Sequence, residues 1–261
     1  MRSWILVGLC IINYNPLFSQ GKKFTIDVAD EIVWAGVDRP GDLFLVLQTG
    51  EIQKFNSSGT VVAKYKFPTI PTLLDAGDGV SSFIYNRKEN HYTILSEELV
   101  LLSEKEPDPS FAINPWLICP ALHELWIFDV SDYSLKKTKL WATAVAFETS
   151  QRHLAQQKPE EFISLREYQN YVFLLDRKAG VHVFNGVGKL LRTLGEKGLD
   201  YFNFLGEEFY YIKGDELIFI DLYTEEKRNF KLPQSCDRAL VTDNTLYAIK
   251  GKNVSLYDFK P

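Results

Sequence analysis

The sequence predicts an all-β chain, and three observations support this fold class. Apolar and polar residues alternate in many short segments, which is the pattern of a partly buried β-strand. Turn-forming residues separate these segments, as in Gln48-Thr49-Gly50 and Gly186-Val187-Gly188. No segment shows a sustained period of 3.6 residues, so helices are not expected.

The alternating segments occur in pairs along the chain. A single segment at 23–28 comes first, and the pairs that follow are 43–47 with 51–56, 82–85 with 91–95, 124–129 with 134–137, 171–176 with 181–185, 209–212 with 216–221, and 245–249 with 253–258. Short polar or glycine turns join the members of most pairs, which is typical of antiparallel β-hairpins.

The pairs also repeat along the chain. If Phe55, Phe128, Phe184, Ile220 and Tyr257 are equivalent, the chain contains six units, and the last two steps are 36 and 37 residues long. Units of this length with four short strands are typical of β-propeller blades. A single four-stranded sheet has two apolar faces that neighbouring blades must cover. We therefore expect one domain at 21–261, a β-propeller of six four-stranded blades.

The last unit contains three strands, so its blade needs an outer strand from elsewhere. We expect residues 23–28 to supply it, because an open sheet edge exposes unpaired backbone groups. The alternative is a flexible N-terminal tail. Cys119 and Cys236 fall in the third and sixth units, on opposite sides of the ring. A disulfide requires α-carbons within about 7 Å, so two free thiols are expected.

Residues 1–20 have the pattern of a secretory signal peptide. Arg2 provides a positive charge, an apolar run follows from Trp4 to Ile12, and a polar stretch leads to small Ser19 before the expected cleavage site. This run is too short to span a bilayer, and no later segment is long and apolar enough to do so. We expect an exported chain; the alternative is a buried first strand.

Composition argues against several classes of function. The formal net charge is −5 and basic residues form no run, so neither nucleic acid nor an anionic membrane is an expected partner. His91, His123, His153 and His182 are not at zinc-ligand spacing. Gly186-Val187-Gly188 lacks the helix that a dinucleotide site requires. No metal, cofactor or catalytic residue is predicted from these patterns.

The repeated phrases resemble a known group of proteins. Residues 125–129 (LWIFD) followed by 135–137 (LKK), and residues 180–189 (GVHVFNGVGK), look like the blade motifs of bacterial envelope propellers, which include WD40-like and quinoprotein-like secreted repeat proteins. The adjacent cysteine pair of the quinoprotein enzymes and the Gly-His and Trp-Asp pairs of the eukaryotic type are missing from the sequence. Across 23–259, the resemblance implies a non-enzymatic binding platform in the periplasm or at the outer membrane of a Gram-negative bacterium.

The segment around 140–160 is the candidate partner surface. The unit spacing predicts an insertion here in the fourth unit, and connections of this length are often functional. We expect it to project from the ring and bind an envelope protein, with the propeller acting as a monomer or as a subunit of a larger complex. The alternative is an irregular extension packed on the rim. The candidate contact residues are Trp141, Phe147, Arg152, His153 and Leu154.

A second function is kept open by acidic residues in the early loops. A propeller hydrolase of the lactonase or glycan-cleaving type would place carboxylates at the channel mouth, with calcium as a candidate metal. The residues that could form such a site are Asp38, Asp42, Asp75 and Asp78, with Arg39 and Arg87 nearby. Acids in such loops more often form turns.

Overall fold

The structure is a computed structural model, and it describes residues 21–77, 79–140 and 144–260. These residues form six four-stranded antiparallel sheets, which are the blades of a β-propeller around a central channel. The fold class expected from the sequence is confirmed. The expected signal peptide at residues 1–20 lies outside the described residues.

The first strand, β1 (Lys22–Asp27), belongs to blade six, and blades one to three follow it in chain order. Blade one contains β2 (Ile32–Val37), β3 (Leu43–Leu47), β4 (Glu51–Phe55) and β5 (Val61–Lys66). Blade two contains β6 (Leu73–Asp75), β7 (Ser81–Asn86), β8 (His91–Ser96) and β9 (Leu101–Lys105). Blade three contains β10 (Pro115–Ala121), β11 (Glu124–Asp129), β12 (Ser134–Lys139) and β13 (Val145–Ser150).

Blades four to six complete the ring. Blade four contains β14 (Phe162–Tyr168), β15 (Tyr171–Asp176), β16 (Gly180–Phe184) and β17 (Leu190–Leu194). Blade five contains β18 (Asn203–Leu205), β19 (Glu208–Lys213), β20 (Glu216–Asp221) and β21 (Lys227–Lys231). Blade six contains β22 (Arg238–Val241), β23 (Thr245–Lys250), β24 (Asn253–Asp258) and β1. In each blade the first of these strands is the innermost.

The ring closes through pairing between β1 and β24. The two strands are antiparallel, with Thr25 opposite Ser255 and Ile26 opposite Val254. The Lys23 ammonium strengthens this contact, because its Nζ atom donates to Thr245 Oγ1 at 2.9 Å. The expectation that the N-terminal segment supplies the outer strand of the last blade is confirmed.

One equivalence assumed in the sequence comparison differs from the structure. Phe128 lies on β11, the second strand of its blade, whereas Phe55 and Phe184 lie on third strands. Each of these two third-strand residues follows a shift in register with the outer strand, and Thr138 occupies the same position in blade three. The comparison of different strands therefore accounts for part of the long step, which is 56 residues from Phe128 to Phe184 and 46 from Thr138 to Phe184. Much of the expected insertion is the regular outer strand β13, and residues 151–161 form the connection to blade four.

Most residues of the middle strands are buried, whichever face of the blade they lie on. All five residues of β3 and all five of β16 are buried. Each blade is covered by a neighbour on either side, so a middle strand has no face in water. Outer strands have one face and one edge in solvent, and β13 alternates between partly buried and exposed residues.

A buried carboxylate holds blade three to the segment that precedes it. Asp129 is fully buried, and its oxygens accept the backbone N–H of Ile113 at 2.9 Å, of Asn114 at 3.2 Å and of Ser131 at 2.8 Å. Lys136 Nζ donates to it at 3.1 Å. Burial alone would raise the pKa of Asp129, but hydrogen bonds from Ser131 and the Lys136 ammonium lower it. The acid therefore remains charged and fixes the turn between β11 and β12.

Blade four has a histidine where blade three has Lys136, two residues into the third strand. His182 lies on β16 and is buried, with its Nε2 atom 3.4 Å from an Asp176 carboxylate oxygen. A hydrogen bond of 3.0 Å joins its Nδ1 atom to the Thr193 hydroxyl. Burial lowers the pKa of His182, and this outweighs the raising effect of Asp176. The neutral imidazole is therefore favoured in the fold.

We expect Ile26→Ala to weaken ring closure. Ile26 is buried on β1 within the apolar cluster that joins blades six and one, so truncation leaves a cavity there. The free energy of unfolding, measured by urea denaturation, should decrease by about 2–5 kcal/mol. Thr25→Ala, at an exposed position on the same strand, should change it by less than about 1 kcal/mol. Equal effects of the two substitutions would contradict a role for this strand in closing the ring.

We also expect stability to depend on the protonation of His182. Below the ordinary histidine pKa of 6.5, the unfolded chain takes up a proton more readily than the fold does. The free energy of unfolding should therefore decrease between about pH 7 and about pH 5. His182→Gln should flatten this dependence, whereas His153→Gln, at an exposed position, should keep it. Urea denaturation across the pH range measures the free energy of unfolding of both variants. An identical pH dependence in the two variants would refute the role assigned to His182.

Candidate functional site

The structure separates the residues expected to form the partner surface at 140–160. Leu154 is 4% exposed and packs in the core, so it anchors the segment and is not available to a partner. Phe147 lies on β13 with its ring 5.5 Å from that of Trp126, and is half-buried. Arg152 and His153 are exposed on a single 3-10 turn, Arg152–Leu154. Trp141 lies outside the described residues.

A second rim surface, which we call the apolar edge, was not anticipated from the sequence. It consists of Val100, Leu101 and Leu102, which are 59%, 47% and 59% exposed at the start of the outer strand β9. This strand pairs with β8 on one side, and no other described strand pairs with its outer edge. The free edge of a sheet offers unpaired N–H and C=O groups to another strand.

The apolar edge has three consecutive exposed apolar residues, one more than the run on β5. On the outer strand β21, by contrast, the exposed residues are Lys227, Asn229 and Lys231. On β5 the exposed pair Val61 and Val62 is followed by exposed lysines. The signal in the sequence was the run 100–102 (VLL), which breaks the apolar and polar alternation expected of an outer strand.

Acidic side chains flank the apolar edge. Glu97 and Glu98 precede it, and Glu104 and Glu106 follow it. The side chains of Glu97 and Glu106 are 58% and 67% exposed, although each has a basic neighbour, Lys54 at 3.9 Å and His91 at 3.4 Å respectively. Residues 97–106 contain these four acids and one basic residue, Lys105, and this excess of negative charge favours a basic partner.

The acids of the alternative enzyme site do not come together. Asp38 and Asp42 both contact Lys54, at 3.5 Å and 3.2 Å, in the turn between β2 and β3. Asp38 also accepts the backbone N–H of Gly41 and of Asp42, so it forms the turn. Asp75 instead lines the central channel. Asp78 lies outside the described residues.

The two arginines considered with these acids lie in different surroundings. Arg39 borders the channel. The Arg87 guanidinium lies 3.6 Å from the centre of a Trp116 ring, whose Nε1 atom donates to the Phe162 carbonyl at 2.8 Å. This arginine therefore stabilises the contact between blades two, three and four by a cation–π interaction.

The central channel encloses a cavity of about 800 Å³. Its wall is formed by inner strands, with β2, β6 and β14 contributing most, and by residues 200–203 and Arg238. Trp34 forms part of this wall, because its ring lies along β2 over Gly36. A Cβ atom at Gly36 would be 2.2 Å from Trp34 Cη2, so the ring position depends on glycine.

Both cysteines of the described chain are free, as expected. Cys119 lies on the inner strand β10 and is fully buried. Burial raises the pKa of its thiol well above the ordinary value, and the nearby carboxylates of Asp75 and Glu167 raise it further. Cys236 is half-buried just before β22, and burial raises its pKa to about 11. Neither thiol is activated as a nucleophile.

The described part of the chain contains no group of three or more His, Cys, Asp and Glu side chains placed to hold a metal ion. Its helical elements are the two 3-10 turns Arg152–Leu154 and Pro159–Glu161. Within residues 21–77, 79–140 and 144–260, no helix has the length and apolar character needed to cross a membrane.

No family model matches the sequence, and no curated protein matches it. Solved β-propellers are similar in structure. The WD40 domain of Neurospora crassa Pan2 has a TM-score of 0.61 and 7% identity, over 88% of this chain and 89% of that chain. A streptogramin B lyase has a TM-score of 0.58 and 11% identity, over 91% of this chain and 87% of that chain. Virginiamycin B lyase from Staphylococcus aureus has a TM-score of 0.57 and 9% identity, over 88% of this chain and 80% of that chain. At these identities the similarity shows the propeller fold alone.

We expect the two thiols to differ in reactivity. In the native protein at about pH 8, iodoacetamide should alkylate Cys236 roughly 100-fold more slowly than free cysteine, because little thiolate is present. Cys119 should react only after unfolding in urea, because it is fully buried. Mass spectrometry of proteolytic peptides measures both rates. Alkylation of Cys119 at the rate of Cys236 in the native state would show that the channel wall opens.

Proposed function

We propose that this chain is a non-enzymatic binding protein, a scaffold that holds a protein partner on its rim. The observation that carries the proposal is the apolar edge. Three consecutive apolar side chains, Val100, Leu101 and Leu102, are about half exposed at the start of β9, and no other described strand pairs with the outer edge of β9. Water contact with so much apolar surface is unfavourable, and a run of this kind is typical of an interaction site.

The geometry favours strand addition as the mode of binding. The partner would contribute an extended segment that pairs with β9, so that main-chain hydrogen bonds supply affinity. Leu101 and Leu102 are consecutive, so their side chains lie on opposite faces of the blade. Side chains on one face of a partner strand would therefore cover Leu101, and those on its other face would cover Leu102.

Charge defines the partner further. The acids Glu97, Glu98, Glu104 and Glu106 stand at both ends of the apolar edge. A partner strand with apolar residues in its centre and lysine or arginine at its ends would complement this surface. Such charges increase the rate of encounter and select against acidic partners.

The connection after blade three is a second part of the proposed surface. Arg152 and His153 are exposed on their 3-10 turn, and buried Leu154 holds that turn against the core. A short turn anchored in this way keeps its exposed side chains in a defined position. We include these two residues as contacts of the same or a second partner.

The compartment belongs to the proposal as well. Residues 1–20 have the pattern of a signal peptide, which would send the chain to the periplasm or outer membrane of a Gram-negative bacterium. Free thiols are compatible with this location, since both have a raised pKa. A partner is therefore to be sought in the cell envelope.

We expect Leu102→Lys to abolish partner binding. Tagged chains covering residues 21–261 would be used to capture proteins from the envelope fraction of the source bacterium. The unchanged chain should recover one stoichiometric partner, and Leu102→Lys should recover at least about 10-fold less, because a charge replaces a central apolar contact. Quantitative mass spectrometry measures the recovery.

The matched control is Leu191→Lys. Leu191 is 46% exposed on β17, the outer strand of blade four, so this change has similar chemistry on another blade. It should recover the partner as the unchanged chain does. The double variant Arg152→Glu and His153→Glu places negative charge on the connection after blade three. In the same assay it tests whether these two residues contact the partner. Equal recovery by the Leu102 and Leu191 variants, or no partner with the unchanged chain, would refute the apolar edge as the binding surface.

A further inference from the structure

The polar lining of the central channel is divided into two sides. The basic side consists of Arg166, Arg238, Tyr201 and Asn203, and it belongs to blades four to six. The acidic side consists of Asp75 on β6 and Glu167 on β14. Outside these two sides, the channel is also lined by Arg39 and by the ion-paired Arg177 and Asp200. The rim contacts proposed above involve none of these residues.

The division follows from strand geometry. Arg166 and Glu167 are consecutive on β14, so their side chains point to opposite sides of the strand. Arg166 points towards blade five, where its guanidinium lies 5.2 Å from the centre of the Phe204 ring. Glu167 points the other way, towards blades two and three. Burial raises its pKa, Lys137 of blade three lowers it, and the charge of Asp75 in blade two raises it.

On the basic side, a chain of hydrogen bonds holds the side chains in place. Arg166 Nη1 donates to Asn203 Oδ1 at 2.7 Å, and Asn203 Nδ2 donates to the Tyr201 hydroxyl oxygen at 2.9 Å. Arg238 Nη1 donates to the Ile32 carbonyl at 3.2 Å. Within the described residues each guanidinium makes this one hydrogen bond, and an arginine has five N–H groups. Oriented donors therefore remain for an anionic group.

On the acidic side, the carboxylates are held but not neutralised. Asp75 Oδ1 accepts the Gly77 backbone N–H at 2.8 Å, and Glu167 accepts that of Asn170. Neither carboxylate forms an ion pair with another described residue. Burial raises the pKa of Glu167, and this outweighs the lowering effects of the Lys137 charge and of the Asn170 N–H. A cation next to these two acids would be stabilised.

The backbone of the channel wall adds a third element. Each inner strand is hydrogen-bonded to one neighbour in its blade, so its other edge faces the channel. No other described strand pairs with these edges, and their N–H and C=O groups match the groups of a peptide backbone. The cavity of about 800 Å³ also lies within the range of small-molecule sites, roughly 300–1,000 Å³.

We propose that the channel binds a zwitterion of the α-amino acid type, most favourably a short linear peptide. Its carboxylate would be held by Arg166 and Arg238, and its ammonium group by Asp75 and Glu167. The peptide units between them would bond to the free edges of the inner strands. Trp34, which lies on the wall, supplies apolar surface for side chains.

Isothermal titration calorimetry with tri-L-alanine tests the proposal on folded chain covering residues 21–261. We expect saturable binding with a dissociation constant below about 10 mM. N-acetyl-tri-alanine lacks the ammonium group and tri-alanine amide lacks the carboxylate, so each should bind at least about 10-fold more weakly. No saturable binding, or equal binding of either blocked peptide, would overturn the proposal. Because they alter the ligand, these comparisons do not depend on the folding of any variant.

Substitutions test the assignment of the two sides. Arg238→Gln should weaken binding of tri-alanine about 10-fold, while the amide, which has no carboxylate, should be affected much less. Glu167→Gln should weaken binding of tri-alanine to a similar extent. It should affect N-acetyl-tri-alanine, which has no ammonium group, much less. Arg228→Gln on the outer strand β21, and Leu102→Lys on the rim, should bind as the unchanged chain does. The second control separates this site from the proposed partner surface, so either proposal can fail alone.

Discussion

The pairing of β1 with β24 is the interaction on which the rest of the ring depends. It joins segments from the two ends of the sequence, and its apolar cluster includes Ile26 and Val254 together with Leu43 and Leu45 of blade one. A blade buries both of its faces only when it has a neighbour on each side. Without this strand, blade six would keep an open edge, and the contact between blades six and one would lose part of its apolar surface.

Closure also determines where the chain is free to vary. The middle strands are buried on both faces, so positions such as those of β3 accept little except apolar side chains. The inner strands have an edge on the channel and the outer strands have an edge in water. The features proposed as functional, the apolar edge and the two-sided channel, lie on these free edges, where a change of side chain disturbs the packing least.

The polar groups of the protein fall into two kinds. Asp129 receives four hydrogen bonds, one of them from a lysine, and links two segments of backbone. Such a carboxylate is fully satisfied and needs no ligand. Asp75 and Glu167 have one backbone donor each and no ion pair within the described chain. The small number of hydrogen-bond and ion-pair partners of these two carboxylates supports the channel as the place where a ligand is stabilised.

The sequence by itself determined the strands, their order and the closure by the N-terminal segment, because a period of two and turn residues are local signals. It placed Phe128 on the wrong strand, since second and third strands are both buried and look alike in sequence. Leu154 was expected at a partner surface, and tertiary packing buries it. Arg166 and Arg238 line the same cavity because blades four and six face one channel. This arrangement depends on contacts between distant segments, which no local pattern records.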